Sequence, residues 1–389
     1  MLNYIEEVNQ KVSIEEGKKA IENILITIYL KEGISTKEIA RNNLLPIPIV
    51  AAIKREFIKK ELIIQDRGTR LTIKGRYFIE EGLGFKRINR NLYIKLYMEP
   101  WKEHREIIEI KEKLQEIFNN RPQVDVTIDQ SKSSIDTSLK RAILCLRNHN
   151  LVGKRILCLG DDDLVSVALG FLLKKLFNGN IHHATRIAVM DIDKRIIDSI
   201  SNIAKKESLP IKCQHVDFRR PLADDLKNQF DCFFTDPPYT VEGMNLFLSR
   251  GIEALKDDIG LNIYFSYAHK SPDFQLIMQE YFLSMGLTVS EVIPRFNIYE
   301  GASIIGNTGQ MIVLKTTNMT KGLIKAHYKG AIYTGELRET IRSYRCRQCG
   351  EIIKVGRSKK VDNIEALKSK GCHRCNGKIF DLIERKNMK

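Results

Sequence analysis

The chain has 389 residues, 43% of them hydrophobic and 29% charged, and 63 Lys and Arg against 48 Asp and Glu give a formal net charge of +15. That is enough for two or three domains with a sizeable core, and the composition is that of a soluble globular protein. No apolar run has the ~20 residues of a membrane span, and the mixed, charged first residues carry no secretory signal, so a cytoplasmic protein is expected.

The positive charge sits at the ends. Residues 1–100 hold 18 basic and 13 acidic side chains and residues 320–389 hold 18 and 7, while the middle is close to neutral. The ends can meet polyanions; the middle is not a polyanion-binding surface. Cys145, Cys158, Cys213 and Cys232 are scattered and read as reduced core thiols.

In chain order, the apolar period over 21–30 predicts a helix closed by Gly33. Ser35-Thr36-Lys37-Glu38 reads as a capping box opening a second helix, and Pro46 and Pro48 open a third that runs to about Leu62. Residues 63–64 and 71–73 read as strands around Asp66-Arg67-Gly68-Thr69, with another helix from Lys74. This order resembles a winged helix-turn-helix. Such a domain either lays a helix, here with Lys54 and Arg55, in a DNA groove or serves packing and dimerisation. The small charge excess of this end favours packing. Residues 101–118 predict a charged amphipathic helix, broken by Asn119-Asn120-Arg121-Pro122, and 136–148 predict another.

From Arg155 strands and helices alternate. Strands are expected at 156–159, 186–190, 211–216, 231–235 and 261–266, with helices at 164–177, 195–205, 243–255 and 274–285. A hairpin pair at 289–295 and 309–315 follows. This is a doubly wound α/β sheet with an antiparallel edge. The expected domains are 1–100, winged-helix-like; 101–150, a helical connector; 151–320, catalytic; and 321–389, a basic tail.

The chemistry gathers at strand ends. Gly160-Asp161-Asp162-Asp163 follows the first core strand, where an α/β sheet binds its ligand. Three acids there suit a cation, not the phosphate that such a turn usually takes. Asp191, with Asp193 behind it, ends the second strand and can accept both hydroxyls of a ribose. Asp217 ends the third and can accept from an adenine amino group. A single such acid commonly caps a helix; four strand ends with acids on one sheet edge argue for a shared site. After the fourth strand, Asp236-Pro237-Pro238-Tyr239 offers a carboxylate and a proline carbonyl, two acceptors that can hold an amine with its lone pair aimed at an electrophile. Tyr239 can stack or offer a cation–π face.

These motifs resemble the Rossmann-like fold that uses S-adenosylmethionine, and Asp236-Pro237-Pro238-Tyr239 resembles the motif of enzymes acting on an amine. The carboxylate of S-adenosylmethionine would be repelled by Asp161, Asp162 and Asp163; the bare aminopropyl ammonium of the decarboxylated form would be attracted. With Tyr299-Glu300-Gly301-Ala302 and Ile305-Gly306-Asn307, residues 1–320 resemble the branched-chain polyamine synthases of thermophiles. The resemblance implies aminopropyl transfer from decarboxylated S-adenosylmethionine to the internal nitrogen of spermidine, with methylthioadenosine leaving. It implies that Asp163 binds the aminopropyl ammonium, that Asp161 or Asp162 faces the acceptor amine, and that Asp236 holds the attacking nitrogen. Which aspartate takes the proton stays open, with Asp162 the first candidate. Tyr239, Tyr264, Tyr267 and Tyr299, with Glu300, are candidates for the acceptor pocket, and ordinary core is the alternative for each tyrosine. A homodimer is expected.

Cys346-Arg347-Gln348-Cys349 and Cys372-His373-Arg374-Cys375 are two knuckles whose four thiolates can complete a tetrahedron around zinc. The 22 residues between them slightly exceed the usual gap. Four cysteines make a closed, structural site, so residues 321–389 are expected to be a basic zinc ribbon, and its role is open between fold stabilisation, a dimer contact and nucleic acid. Two other readings remain: a nucleic-acid amino methyltransferase using S-adenosylmethionine, and a regulator that senses polyamine. The acids at the cofactor turn argue against the first.

Overall fold

The computed structural model describes residues 4–100, 104–179, 184–300, 306–337, 340–356, 359–361 and 364–387. Of the positions singled out above, the first three residues of the helix expected at 101–118, together with Gly301, Ala302 and Ile305, lie outside them. The chain divides into two compact units. The first comprises residues 1–124, 131–237 and 245–328, the second 125–130, 238–244 and 329–389.

The first unit begins with α1 (Tyr4–Val12), α2 (Lys18–Leu30), α3 (Thr36–Asn43) and α4 (Ile47–Lys59), then a hairpin of β1 (Ile63–Gln65) and β2 (Thr69–Leu71). The capping box at α3 is present, with the Ser35 hydroxyl accepting from the Glu38 N–H and the Glu38 carboxylate accepting from the Ser35 N–H. Lys54 on α4 is buried, not presented to a groove. Its ammonium donates to Thr36 Oγ1 and Gln65 Oε1, each at 2.7 Å. Arg55 beside it is exposed. Short α5 (Ile73–Tyr77), α6 (Arg90–Met98) and α7 (Arg105–Asn119) follow.

The unit's centre is an eight-stranded sheet. Its strands are β3 (Lys132–Ser133), β4 (Arg155–Leu159), β5 (Arg186–Asp191), β6 (Ile211–His215), β7 (Cys232–Thr235), β8 (Asn262–Ala268), β9 (Leu287–Glu300) and β10 (Thr308–Thr316). The order is β3-β9-β10-β8-β7-β4-β5-β6. Strands β4 to β8 are mutually parallel, and β10 is antiparallel to both β8 and β9. The helices are α8 (Ile135–Arg147), α9 (Val165–Leu176), α10 (Lys194–Glu207), α11 (Val241–Ala254) and α12 (Pro272–Ser284). Ile156, Leu157, Cys158 and Leu159 of β4 are fully buried. A side chain so placed contributes about 1.5–3 kcal/mol, which fixes β4 as a rigid base for the loop beyond it. A partly buried ionic cluster ties α2 to the approach to β4. Glu22 accepts from Lys154 at 2.6 Å and from Lys19 at 3.1 Å.

The second unit carries α13 (Thr334–Leu337), β11 (Thr340–Cys346), β12 (Ile352–Val355), α14 (Ile364–Lys370) and β13 (Phe380–Asn387). Its three strands form an antiparallel sheet in the order β12-β11-β13. Among the described residues no helix is long and apolar enough to cross a membrane.

Candidate active site and metal centre

The parallel strands end on one edge of the sheet, and the chain leaves β4 there through Gly160. Its φ of 72° lies where a side chain is strained, and its N–H donates to Met190 O at 2.8 Å. The three acids that follow do three different things. Asp161 is buried and turned onto the start of α9. Its Oδ1 accepts the Val165 N–H at 2.7 Å and its Oδ2 the Ser166 N–H at 3.1 Å. Asp162 is half-buried, and its Oδ2 accepts the Ser131 N–H at 3.3 Å. Asp163 is buried; its Oδ1 accepts the Ser133 N–H at 3.1 Å, and the Ser138 hydroxyl donates to its backbone carbonyl at 2.6 Å.

Asp163 also meets a group with no counterpart in the motifs. Arg141, on α8 and 2% exposed, donates from Nη1 to Asp163 Oδ2 at 2.8 Å and from Nη2 to Asp236 Oδ2 at 2.9 Å. Its Nε donates to Asn297 Oδ1 at 3.0 Å and its Nη2 to Tyr299 Oη at 3.2 Å. The Tyr299 hydroxyl in turn donates to Asp236 Oδ2 at 2.5 Å. One guanidinium thus spans the loop after β4, the loop after β7 and the C-terminal end of strand β9.

Asp191 at the tip of β5 accepts backbone N–H groups on both oxygens, from Asp193 at 2.8 Å and from Asp161 at 3.0 Å. Asp193 caps α10 through the Arg195 N–H and pairs with the Arg195 guanidinium. Asp217, beyond β6, accepts the Arg219 N–H at 3.0 Å.

Burial is the largest influence on these acids. It pushes Asp161 up to about 7 against the hydrogen bonds from Ser166 and Val165. It raises Asp162 well above the usual carboxylate range, and Asp163, Asp191 and Asp236 push it further. It takes Asp236 up to about 6, with Arg141 pulling the other way, and it raises Asp191 as well. Five carboxylates therefore share a region in which the Arg141 guanidinium is bonded through all three nitrogens and Arg121 stands within electrostatic reach of Asp162 and Asp163.

Not every sequence-predicted residue joins this cluster. Tyr299 does. Tyr264 is core: stacked on Phe234 at 4.3 Å, it accepts from Asn150 Nδ2 at 3.0 Å. Tyr267 is buried between Phe265 and Phe274. Glu300 is exposed and pairs with Lys132 in the β3–β9 ladder. Pro237 is buried in the first unit, while Pro238 and Tyr239 belong to the second. The Pro238 carbonyl accepts the Thr240 N–H at 2.8 Å, and the Thr240 hydroxyl caps α11 through Gly243. Arg141, Asn297, Ser131 and Ser133 are the residues sequence reasoning missed. No signal singled Arg141 out: Lys140 and Arg141 both stand between Leu139 and Ala142, and only the fold buries the second of them.

In the second unit the cysteine sulfurs of Cys346, Cys349, Cys372 and Cys375 all lie within 4.8 Å of one another. Sγ separations are 3.6 Å for Cys346–Cys375 and for Cys349–Cys372. That is close to the ~3.8 Å edge of a tetrahedron with zinc–sulfur bonds of ~2.3 Å. The two knuckles are built alike. The residue after the second cysteine, Gly350 or Asn376, takes a positive φ of 75° or 58°. It donates its N–H to the first cysteine's carbonyl, at 2.9 and 2.7 Å respectively. The four thiols fit a closed zinc site.

Residues 109–357 match the family model of the branched-chain polyamine synthase A C-terminal domain, which ends between the two cysteine pairs. An uncharacterized protein of Methanocaldococcus jannaschii is 41% identical, covering 98% of this chain and 93% of its own length. The N(4)-bis(aminopropyl)spermidine synthase of the same organism is 30% identical over 77% of this chain and 83% of its length. Among solved structures, the branched-chain polyamine synthase from Thermus thermophilus, in complex with N4-aminopropylspermidine and 5'-methylthioadenosine, superposes with a TM-score of 0.51. That match has 23% identity and covers 84% of this chain and 95% of that one, a likeness of fold.

Proposed function

Because the chain belongs to the branched-chain polyamine synthase family, we propose that it transfers aminopropyl groups from decarboxylated S-adenosylmethionine to the internal (N4) nitrogen of spermidine. The observation that carries this is the charge of the cluster. Asp163 and Asp236 bond Arg141, whose Nε, Nη1 and Nη2 are all engaged, and Asp161, Asp162 and Asp191 add their charges to the same cluster of acids. A ligand bringing ammonium groups relieves the repulsion among these acids, whereas one bringing a carboxylate adds to it and finds the guanidinium already occupied.

The division between Asp161 and Asp162 follows from which oxygens are committed, and the other roles are those that the family resemblance implies. Asp161 is spent on α9, so the acceptor side falls to Asp162, whose carboxylate has one backbone N–H bond. Asp163 faces the aminopropyl ammonium. Asp236 and the Pro237 carbonyl hold the attacking nitrogen, since the Pro238 carbonyl is taken by Thr240. Asp191 takes the ribose, with Asp217 toward the base. The nitrogen lone pair forms a bond to the carbon beside the sulfonium, the carbon–sulfur bond breaks with its electrons on sulfur, and the nitrogen's proton passes to Asp162. The test is to incubate the chain with decarboxylated S-adenosylmethionine and spermidine and measure methylthioadenosine and the branched product. Tighter binding of intact S-adenosylmethionine than of the decarboxylated form would overturn the reading.

Two further assignments accompany it. Residues 1–100 are a winged helix used for packing, a reading supported by the burial of Lys54. Cys346, Cys349, Cys372 and Cys375 hold a structural zinc that holds the two knuckles together, a reading supported by the tetrahedral spacing of their sulfurs.

A further inference from the structure

We propose that Arg141 is a positioning residue for the transfer: it sets the geometry between the carboxylate that holds the donor's ammonium and the carboxylate that holds the acceptor nitrogen. The inference rests on the aminopropyl-transfer reading above. Its warrant is the fork itself. A guanidinium is planar and rigid, and its two Nη atoms bond two carboxylates on different loops, Asp163 at 2.8 Å and Asp236 at 2.9 Å. The fork cannot rock freely, because Asn297 holds Nε at 3.0 Å and is itself anchored to the Gln310 carbonyl at 3.0 Å. Tyr299 closes the arrangement, accepting from Nη2 and donating to Asp236 Oδ2. An in-line displacement needs the nucleophile and the electrophilic carbon aligned, and misplacement by about 1 Å can cost about 100-fold in rate. Arg141 touches neither reacting atom; it acts through the two acids that do the holding. A lysine in its place keeps the charge but cannot reach both acids with a fixed fork.

The experiment compares wild type, Arg141→Lys, Arg141→Gln and Asn297→Ala for methylthioadenosine release across pH, with thermal unfolding as the folding control. The expected result for Arg141→Lys is a kcat fall of at least ~30-fold with the donor KM within ~3-fold of wild type. In Arg141→Gln the acidic limb of the pH–rate profile moves to higher pH, because Asp236 loses the cation that opposes its protonation. Asn297→Ala leaves every charge in place and decides the matter if the Arg141 variants fail to fold; its kcat falls while KM holds. Wild-type turnover with an unchanged kcat and an unmoved acidic limb in the folded variants overturns the role of Arg141. No methylthioadenosine from wild type overturns the transfer reading instead.

Discussion

The backbone N–H of Asp161 donates to the Asp191 carboxylate at 3.0 Å, so the tips of β4 and β5 are joined directly. The other oxygen of Asp191 accepts from the Asp193 N–H at 2.8 Å. Exchange of Asp191 for Ala strands two backbone donors. It is expected to destabilise the fold by about 1–3 kcal/mol in denaturant titration and to raise the KM for decarboxylated S-adenosylmethionine at least ~10-fold.

Asp162→Asn removes the proposed base without removing a structural partner, since the amide oxygen can still accept from Ser131. Its kcat should fall about 100-fold or more, with an unfolding midpoint close to wild type. In the wild type the acids must be ionised to hold an amine and accept its proton. Asp236 is pushed up to about 6 and Asp162 is raised well above its ordinary range, so activity should be lost below about 6 and rise with pH above it. A profile flat from pH 5 to 8 would exclude Asp236 from the role.

Stability should run the opposite way. Unfolded aspartates titrate near 3.8, whereas folded Asp161 keeps its proton to about 7 and Asp236 to about 6. The folded state binds more protons between those values, so stability present at pH 4 is lost as pH rises toward 7. His149 opposes this: burial holds it down to about 3 against an ordinary 6.5, so its contribution rises over that range. Burial alone would raise Glu22, but Lys154 and Lys19 outweigh it and hold it at about 2, so it matters only below 4.5. Asp162 and Asp191 are also raised, and the acids outnumber the one histidine. The unfolding midpoint of the ligand-free protein is therefore expected to fall from pH 4.5 to 6.5, and spermidine is expected to restore it. A midpoint that rises across that interval would refute the burial of these acids.

The second unit should depend on metal. One zinc per chain is expected by elemental analysis, and Cys372→Ser or a strong chelator should abolish it and expose residues 340–387 to protease. Purified protein that stays protease-resistant with no bound metal would contradict the assignment.

Lys54 gives a test at the other end of the chain. Lys54→Ala leaves Thr36 and Gln65 without their shared donor, and a loss of about 1–3 kcal/mol is expected. Any retention on DNA should be unaffected by this change, because the ammonium does not reach the surface.

The sheet was legible because its strands are short apolar runs ending in acids. Most boundaries moved by a residue or two, as with 156–159 against Arg155–Leu159, but the strand expected at 289–295 runs from Leu287 to Glu300, and Asn297 and Tyr299 lie on the part not foreseen. What could not be read was anything assembled from distant parts. Strand β3 has two residues, too few for a pattern. Arg141 lies in a stretch read only as a connector, and its partners sit on three other elements. Asp161, Asp162 and Asp163 look equivalent in sequence, yet only the backbone path decides that the first caps α9 and the third faces the guanidinium. Lys54 suggested a groove-facing cation, because exposure on an amphipathic helix cannot be told from one neutral–charged alternation.

The brace across the acids also orders events during synthesis. Arg141 and Asn297 are separated by 156 positions, Asp236 and Tyr299 by 63. Strand β9 joins the sheet only beside β10, which is made after it and inserts between it and β8. A ribosome that has delivered every aspartate of the cluster has not yet delivered the residues that hold Arg141 in place. The nascent protein must keep mutually repelling side chains hydrated until nearly the whole first unit has emerged, so competence for turnover should lag well behind compaction of the parallel strands.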